Sequence, residues 1–69
     1  MPADIAIIID RLRRKRVYQS IASHEFSVQL GLDPTAWSRV ETGKRALKAS
    51  ELIGAAEVLG MSLDELVRE

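Results

Sequence analysis

The chain has no cysteine, a single histidine and only one each of tryptophan, tyrosine and phenylalanine in 69 residues. Without thiols it has neither a disulfide framework nor thiolate metal ligands, and one imidazole alone argues against a zinc site. No cofactor is expected. Long apolar runs are also missing. The longest lies around Ile5 to Ile9, far short of the ~20 residues that span a bilayer. The start, Met1-Pro-Ala-Asp4, lacks the basic segment of a signal peptide. These absences predict a cytoplasmic protein with no membrane partner. A catalytic constellation is missing too: no Cys, one His and no phosphate-cradling Gly loop, so an enzyme is not expected. Such a length predicts one domain over residues 1–69, burying roughly 60% of its unfolded surface and only marginally stable alone.

An excess of either charge is absent as well, with ten basic and ten acidic residues. Their distribution is uneven. Residues 1–48 carry nine Lys/Arg against five Asp/Glu, and residues 49–69 carry one Arg against five Asp/Glu. The acidic part can face away from a polyanion while the basic part approaches it. Solvated faces also segregate charge without function, so the neighbours of the basic residues decide what the split means.

Those neighbours form the stretch Phe26-Ser-Val-Gln-Leu-Gly-Leu-Asp-Pro-Thr-Ala-Trp-Ser-Arg-Val-Glu-Thr-Gly-Lys-Arg45. Phe26 and Leu30 share a helix face. Gly31 suits a helix stop that needs φ > 0, and Leu32 can plug the corner. Asp33 is a good N-cap, with Pro34 at the first helical position. Trp37 and Val40 then face inward, while Pro34, Thr35, Ser38 and Arg39 face out. Gly43 ends the helix. Two short helices joined by a Gly turn make a helix-turn-helix, whose second helix can enter a DNA major groove.

The rest of the chain reads as helix. Asp4 can cap a first helix in which Ile5, Ile8 and Leu12 recur at three and four, an amphipathic pattern that Ile9 broadens, before it becomes basic at Arg11, Arg13, Arg14, Lys15 and Arg16. The helix macrodipole alone would favour cations there. Val17 to Ser20 reads as a connection, and Ser20, Ala22 or Ser23 opens the second helix. The third runs roughly from Pro34 to Thr42. A fourth runs from about Ala49 to Leu59, with Leu52, Ala55, Ala56 and Leu59 inward; Lys48 is a poor cap for it. Ser62-Leu-Asp-Glu65 is a capping box for a short fifth helix. The fold class expected is all-α, a compact five-helix bundle.

The pattern closely resembles the Cro/C1-type helix-turn-helix domain, the family of lambdoid phage repressors and bacterial xenobiotic-response-element regulators. Leu12 and Arg16 match its aliphatic–Arg pair on helix 1. Phe26-Ser27 matches an apolar–small pair on helix 2, with Ser for the usual Ala. Ser38-Arg-Val-Glu-Thr-Gly-Lys44 and Leu59-Gly-Met-Ser-Leu-Asp-Glu-Leu66 match two further signatures. Trp37 stands where Ile or Val is usual, so its indole N–H needs a partner. Ser20 replaces a usual Gly, Ala22-Ser23 a Ser/Thr-Gln pair, and Val28 a usually polar residue that is either plain surface or part of a partner patch.

The resemblance implies a lambda-repressor-like fold and sequence-specific binding of double-stranded DNA, with nucleoid association when bound. Arg39 is its main base reader, since Arg pairs bidentately with guanine. Thr35 can meet a thymine methyl. Pro34 offers apolar contact or simply starts the helix, and Ser38 contacts DNA or packs on the turn. Lys44 and Arg45 follow the recognition helix, where phosphates are gripped. Ser23 and His24 open helix 2, where free N–H groups favour a phosphate. Arg16 and Glu41 match a salt-bridging pair that can orient Arg16 towards a phosphate; a shifted helix 1 would give that role to Arg13. Met61, Leu63, Leu66 and Val67 are the expected homodimer surface. The readings left open are an antitoxin, or the DNA-binding half of a larger regulator, working with a toxin or effector domain, and a helical adaptor that does not bind DNA.

Overall fold

A computed structural model describes residues 4–68; Met1 to Ala3, on which the argument against a signal peptide rested, and Glu69 lie outside the described residues. Within them the chain forms five helices: α1 (Ile5–Tyr18), α2 (Ser23–Gln29), α3 (Ala36–Glu41), α4 (Ala49–Leu59) and α5 (Leu63–Val67). No strand occurs among the described residues.

The first helix starts where its cap predicts. The Asp4 carboxylate accepts the Ile7 N–H at 3.0 Å. It ends later than expected, because Val17 and Tyr18 are helical and not part of the connection. Lys15 and Arg16 sit in its last turn, where the macrodipole favours cations. Ser20 then takes φ 59°, the only positive φ of a non-glycine among the described residues. This lets Ser20 N–H reach Val17 C=O at 2.9 Å and Ile21 N–H reach Arg16 C=O at 3.1 Å, the two bonds of a Schellman cap. A Cβ in that conformation costs about 1 kcal/mol, which the usual Gly avoids. Ser20 therefore closes α1. The second helix opens at Ser23 behind an extended Ala22 that offers no side-chain cap.

Gly31, at φ 74°, closes α2 with the same bond pair: Gly31 N–H to Val28 C=O and Leu32 N–H to Ser27 C=O, both 2.9 Å. The chain then turns tightly. Regular α-helix begins at Ala36, two residues after the expected start at Pro34. The cause lies in where the N–H groups go. Pro34 has none. The Asp33 carboxylate accepts the Thr35 N–H at 3.1 Å, and the Asp33 carbonyl accepts the Ala36 N–H at 2.9 Å. The Trp37 N–H donates across the turn to the Ser27 hydroxyl at 2.8 Å, and that hydroxyl donates to Ser23 C=O at 3.1 Å. The N–H groups of Thr35, Ala36 and Trp37 at the head of α3 thereby find acceptors. The Ser27 oxygen, absent from the usual Ala, ties α2 to α3.

Trp37, Phe26, Leu12, Leu66, Val40 and Ser27 are fully buried, and Ile8, Ala55, Ala56 and Leu59 complete the core. The Phe26 and Trp37 rings meet edge to face, centroids 4.7 Å apart. This geometry suits the opposed quadrupoles of face and edge. Lys48 precedes α4, and its ammonium cannot accept a hydrogen bond. Glu51 compensates by accepting the Lys48 N–H at 3.0 Å. The box at α5 has both halves, Glu65 N–H to Ser62 Oγ and Ser62 N–H to Glu65 Oε1.

Burial corrects one expectation. Leu66 was assigned to a dimer surface, but it is fully buried within the protomer. A helix of five residues has only one position that points directly at the core, and Leu66 takes it. The Arg11 guanidinium fastens that end by donating to Leu66 C=O at 2.9 Å. Met61 and Val67 are half-buried against the same core, and Leu63 is exposed.

Candidate nucleic-acid interface

The third helix has two unlike faces. Ala36, Trp37 and Val40 are buried, whereas Pro34, Thr35, Ser38 and Arg39 are all exposed. Thr35 is not a free hydroxyl donor: its Oγ1 donates to Asp33 Oδ2 at 2.6 Å. Its remaining surface offers a methyl group and acceptor lone pairs. Thr42, at the end of α3, donates to Ser38 C=O at 3.0 Å. Arg39 forms no ion pair among the described residues. A long, unpaired guanidinium thus stands on the polar side of a helix that the core holds rigidly from behind.

Arg16 and Glu41 lie together in a bidentate pair, Nε to Oε2 at 2.8 Å and Nη2 to Oε1 at 2.9 Å. The third nitrogen of Arg16 donates to Ile21 C=O at 2.6 Å. Glu41 Oε2 also accepts the Trp37 indole N–H at 2.5 Å. The two charged side chains are 12% and 10% exposed, so Arg16 points inward and has little surface left for a phosphate. Its structural effect is to fix the end of α3 against α1. Arg13 does not take this place; it is exposed and lies 3.6 Å from Asp10.

The cations that follow α3 divide into two kinds. Lys44 is exposed and forms no ion pair among the described residues. Arg45 is bound: it donates to both carboxylate oxygens of Glu51 at 2.8 Å and to Ala46 C=O at 3.2 Å. At the start of α2, His24 is exposed and Ser23 is half-buried.

The family described as a helix-turn-helix domain matches residues 10–69. The chain belongs to this helix-turn-helix family. The family is of the Cro/C1 type, as the motifs of α1 to α5 imply. No curated protein matches the chain. Helix-turn-helix domains of this kind bind DNA and are typically not enzymes. No helix among the described residues is long and apolar enough to cross a membrane.

Within this helix-turn-helix domain part of the basic run of α1 is engaged, although Arg13 and Arg14 stay exposed. Arg14 pairs with Asp10 at 2.8 Å, Arg11 caps α5, and the Lys15 ammonium lies 5.9 Å above the Tyr18 ring. Sequence reasoning missed three groups. Glu51 captures Arg45 across a loop, and no local spacing rule signals that pair. The Ser27 hydroxyl was noted only as a departure from Ala. Asp33 was read as a cap, although its carboxylate also lies on the exposed side of the turn beside Thr35.

Two predictions follow from these ion pairs. Removing Glu41 leaves both Arg16 and the Trp37 indole without an acceptor in a mostly dry site. Glu41→Ala should therefore lose about 3 kcal/mol, the scale for breaking a buried pair. Glu57→Ala, on the exposed side of α4, should change stability by less than about 0.5 kcal/mol. Urea unfolding of both variants checks this, and equal midpoints would refute it.

The Arg45 guanidinium beside Glu51 holds its carboxyl far below the ordinary 4.5, at about 2, against the opposing effect of burial. A carboxyl whose pKa is depressed by folding stabilises the fold fully above its unfolded pKa. That contribution fades as pH falls from about 4.5 towards about 2. Glu51→Gln should be less stable than the parent at pH 7, and the gap should close towards pH 2. Urea midpoints across that range give the answer; a gap independent of pH would count against the pair.

Proposed function

We propose that this chain is a sequence-specific regulator of transcription, a repressor that binds double-stranded DNA as a homodimer, with α3 in the major groove of each half-site. The observation that carries this reading is Arg39, exposed and without an ion-pair partner among the described residues, on the polar face of a helix whose opposite face is core. Such a helix presents donors in a fixed register, which base-edge recognition requires. Arg39 reads bases, supported by Thr35 through its methyl, by Ser38, and by Pro34 through apolar contact. Lys44, Ser23 and His24 meet phosphates, and Arg45 reaches the strand only as far as its bond to Glu51 allows. Arg16 acts indirectly, by positioning α3.

Dimerisation in this reading uses Met61, Leu63 and Val67, without Leu66. Leu63 is 48% exposed, and Met61 and Val67 are half-buried. Two copies joined there would present their α3 helices about 34 Å apart, one turn of DNA, to an inverted repeat. Leu63→Glu should weaken self-association and leave the fold intact, because the side chain is outside the core. Sedimentation at several concentrations tests this. A parent that stays monomeric when concentrated, and occupies one unrepeated half-site, would overturn it.

Arg39 and Lys44 should fail in different ways. Losing a bidentate Arg–guanine contact costs about 1–3 kcal/mol and relaxes preference at that base pair. Losing a phosphate contact weakens binding to all sequences alike and lowers the salt slope by about one. Arg39→Ala should narrow the gap between cognate and scrambled duplexes, and Lys44→Ala should preserve it. Titrations at several salt concentrations measure both. Full discrimination by Arg39→Ala would remove that residue as a base reader, and a parent that binds no duplex at low salt would favour a protein-binding adaptor.

A further inference from the structure

The outward side of the turn and α3 carries one anion as well as one cation. Asp33 and Arg39 are both exposed, and no ion pair joins them among the described residues. They are still electrical neighbours. The Asp33 carboxyl is held below its ordinary 3.8 chiefly by the Thr35 hydroxyl and N–H, with the Arg39 charge adding to the effect. Both Thr35 donors converge on Asp33 Oδ2. The other oxygen, Oδ1, accepts nothing from the described residues and stays open.

Apart from the Ser38 hydroxyl, which donates or accepts and so does not discriminate between bases, few other groups on this face can read a base edge. The protons of Thr35 and Thr42 are committed within the protein, and Pro34 has no N–H. The side chains that read adenine bidentately are Asn and Gln. The chain contains no Asn, and its two Gln residues, Gln19 and Gln29, lie outside α3. Gln19 is also occupied, donating to Leu59 C=O at 2.9 Å.

We infer that the α3 face reads guanine through Arg39 and cytosine through Asp33, so that each half-site carries a G·C pair at both positions. This rests on the DNA-binding reading above and adds the bases it selects. In the major groove guanine offers O6 and N7 as acceptors, which suit Arg39. A carboxylate needs a donor. Thymine and guanine present acceptors there and repel it. Adenine offers its N6 amino group, but the N7 lone pair sits beside it. Cytosine offers the N4 amino group with no acceptor alongside, so it alone suits Asp33. The same negative charge is repelled by phosphates, which disfavours poorly registered complexes and makes Asp33 a source of discrimination more than of affinity.

The test is selection of bound sequences from a random duplex pool by the parent and by Asp33→Asn. Asn caps helices about as well as Asp, so the fold is expected to survive, and a thermal melt checks that directly. The parent should enrich guanine and cytosine at two fixed positions of the half-site. In Asp33→Asn the single amide oxygen is taken by the two Thr35 donors, so an NH2 donor replaces Oδ1 and the preference for cytosine should be lost, while the guanine position stays. Direct titration of duplexes with and without cytosine at that position should show the parent's preference, on the order of tenfold, collapsing in the variant. The same base preference in parent and variant, or A·T pairs at both positions in the parent, would overturn the inference while DNA binding itself stood. A parent that enriched no sequence and bound no duplex at low salt would overturn the DNA-binding reading, and this inference with it.

Discussion

The carboxylate of Glu41 joins three parts of the molecule that would otherwise be connected only by apolar packing. It accepts two bonds from Arg16 on α1 and one from the indole of Trp37, one turn earlier on α3. Arg16 in turn holds Ile21 C=O, in the link between α1 and α2. Apolar contacts are not directional and tolerate sliding, whereas a bidentate guanidinium–carboxylate pair fixes both distance and angle. The outward face of α3 therefore points where it does because its last turn is clamped from behind. The large indole fits the same arrangement, with its ring against Phe26 and its N–H on Glu41.

The rest of the architecture repeats one device. The ends of α1, α2, α3 and α4 each carry the paired bonds of a Schellman cap, at Ser20–Ile21, Gly31–Leu32, Gly43–Lys44 and Gly60–Met61. Each satisfies carbonyls that the last helical turn leaves open and reverses the chain in very few residues. Short reversals lay α3 on α2 and bring α3, α4 and α5 back against α1, so that 69 residues enclose a core around Trp37, Phe26, Leu12 and Leu66. The Ser27 hydroxyl adds a bond across the α2–α3 turn, so the spacing of the two helices is set by a directional contact as well as by packing.

Charge at the candidate interface is decided by which cations the protein has already engaged. Ten basic side chains suggest an ample supply for a polyanion. Arg11, Arg14, Arg16 and Arg45 are held by carbonyls or carboxylates of the protein itself. Arg39 and Lys44 are exposed without such partners among the described residues. Arg16 and Arg45, each held in a bidentate pair, must break those bonds before they can meet a phosphate, so the balance of charge along the chain overstates the number of ready contacts.

Much of the fold was legible in the sequence, since local rules govern it. Asp4, Gly31, Gly60 and the Ser62–Glu65 box marked helix ends, and the spacing of Ile8, Leu12, Trp37, Val40, Ala55, Ala56 and Leu59 marked the inward faces. The exposed set Pro34, Thr35, Ser38 and Arg39 follows from the same period. The resemblance, carried by residues on four helices, added the Arg16–Glu41 pair. What the sequence could not decide is which conformation or partner each group takes once the chain has folded. Val17 and Tyr18 are helical because Ser20 adopts a left-handed conformation and takes over the cap. Leu66 is core because α5 meets α1 over the buried cluster. Arg45 is occupied because Glu51 comes round on α4, and Trp37 finds an acceptor because Glu41 lies one turn further along the same helix. Periodicity and capping act over a few residues and can be read in order; the choice among partners for a charge or an N–H is made only when the helices have packed.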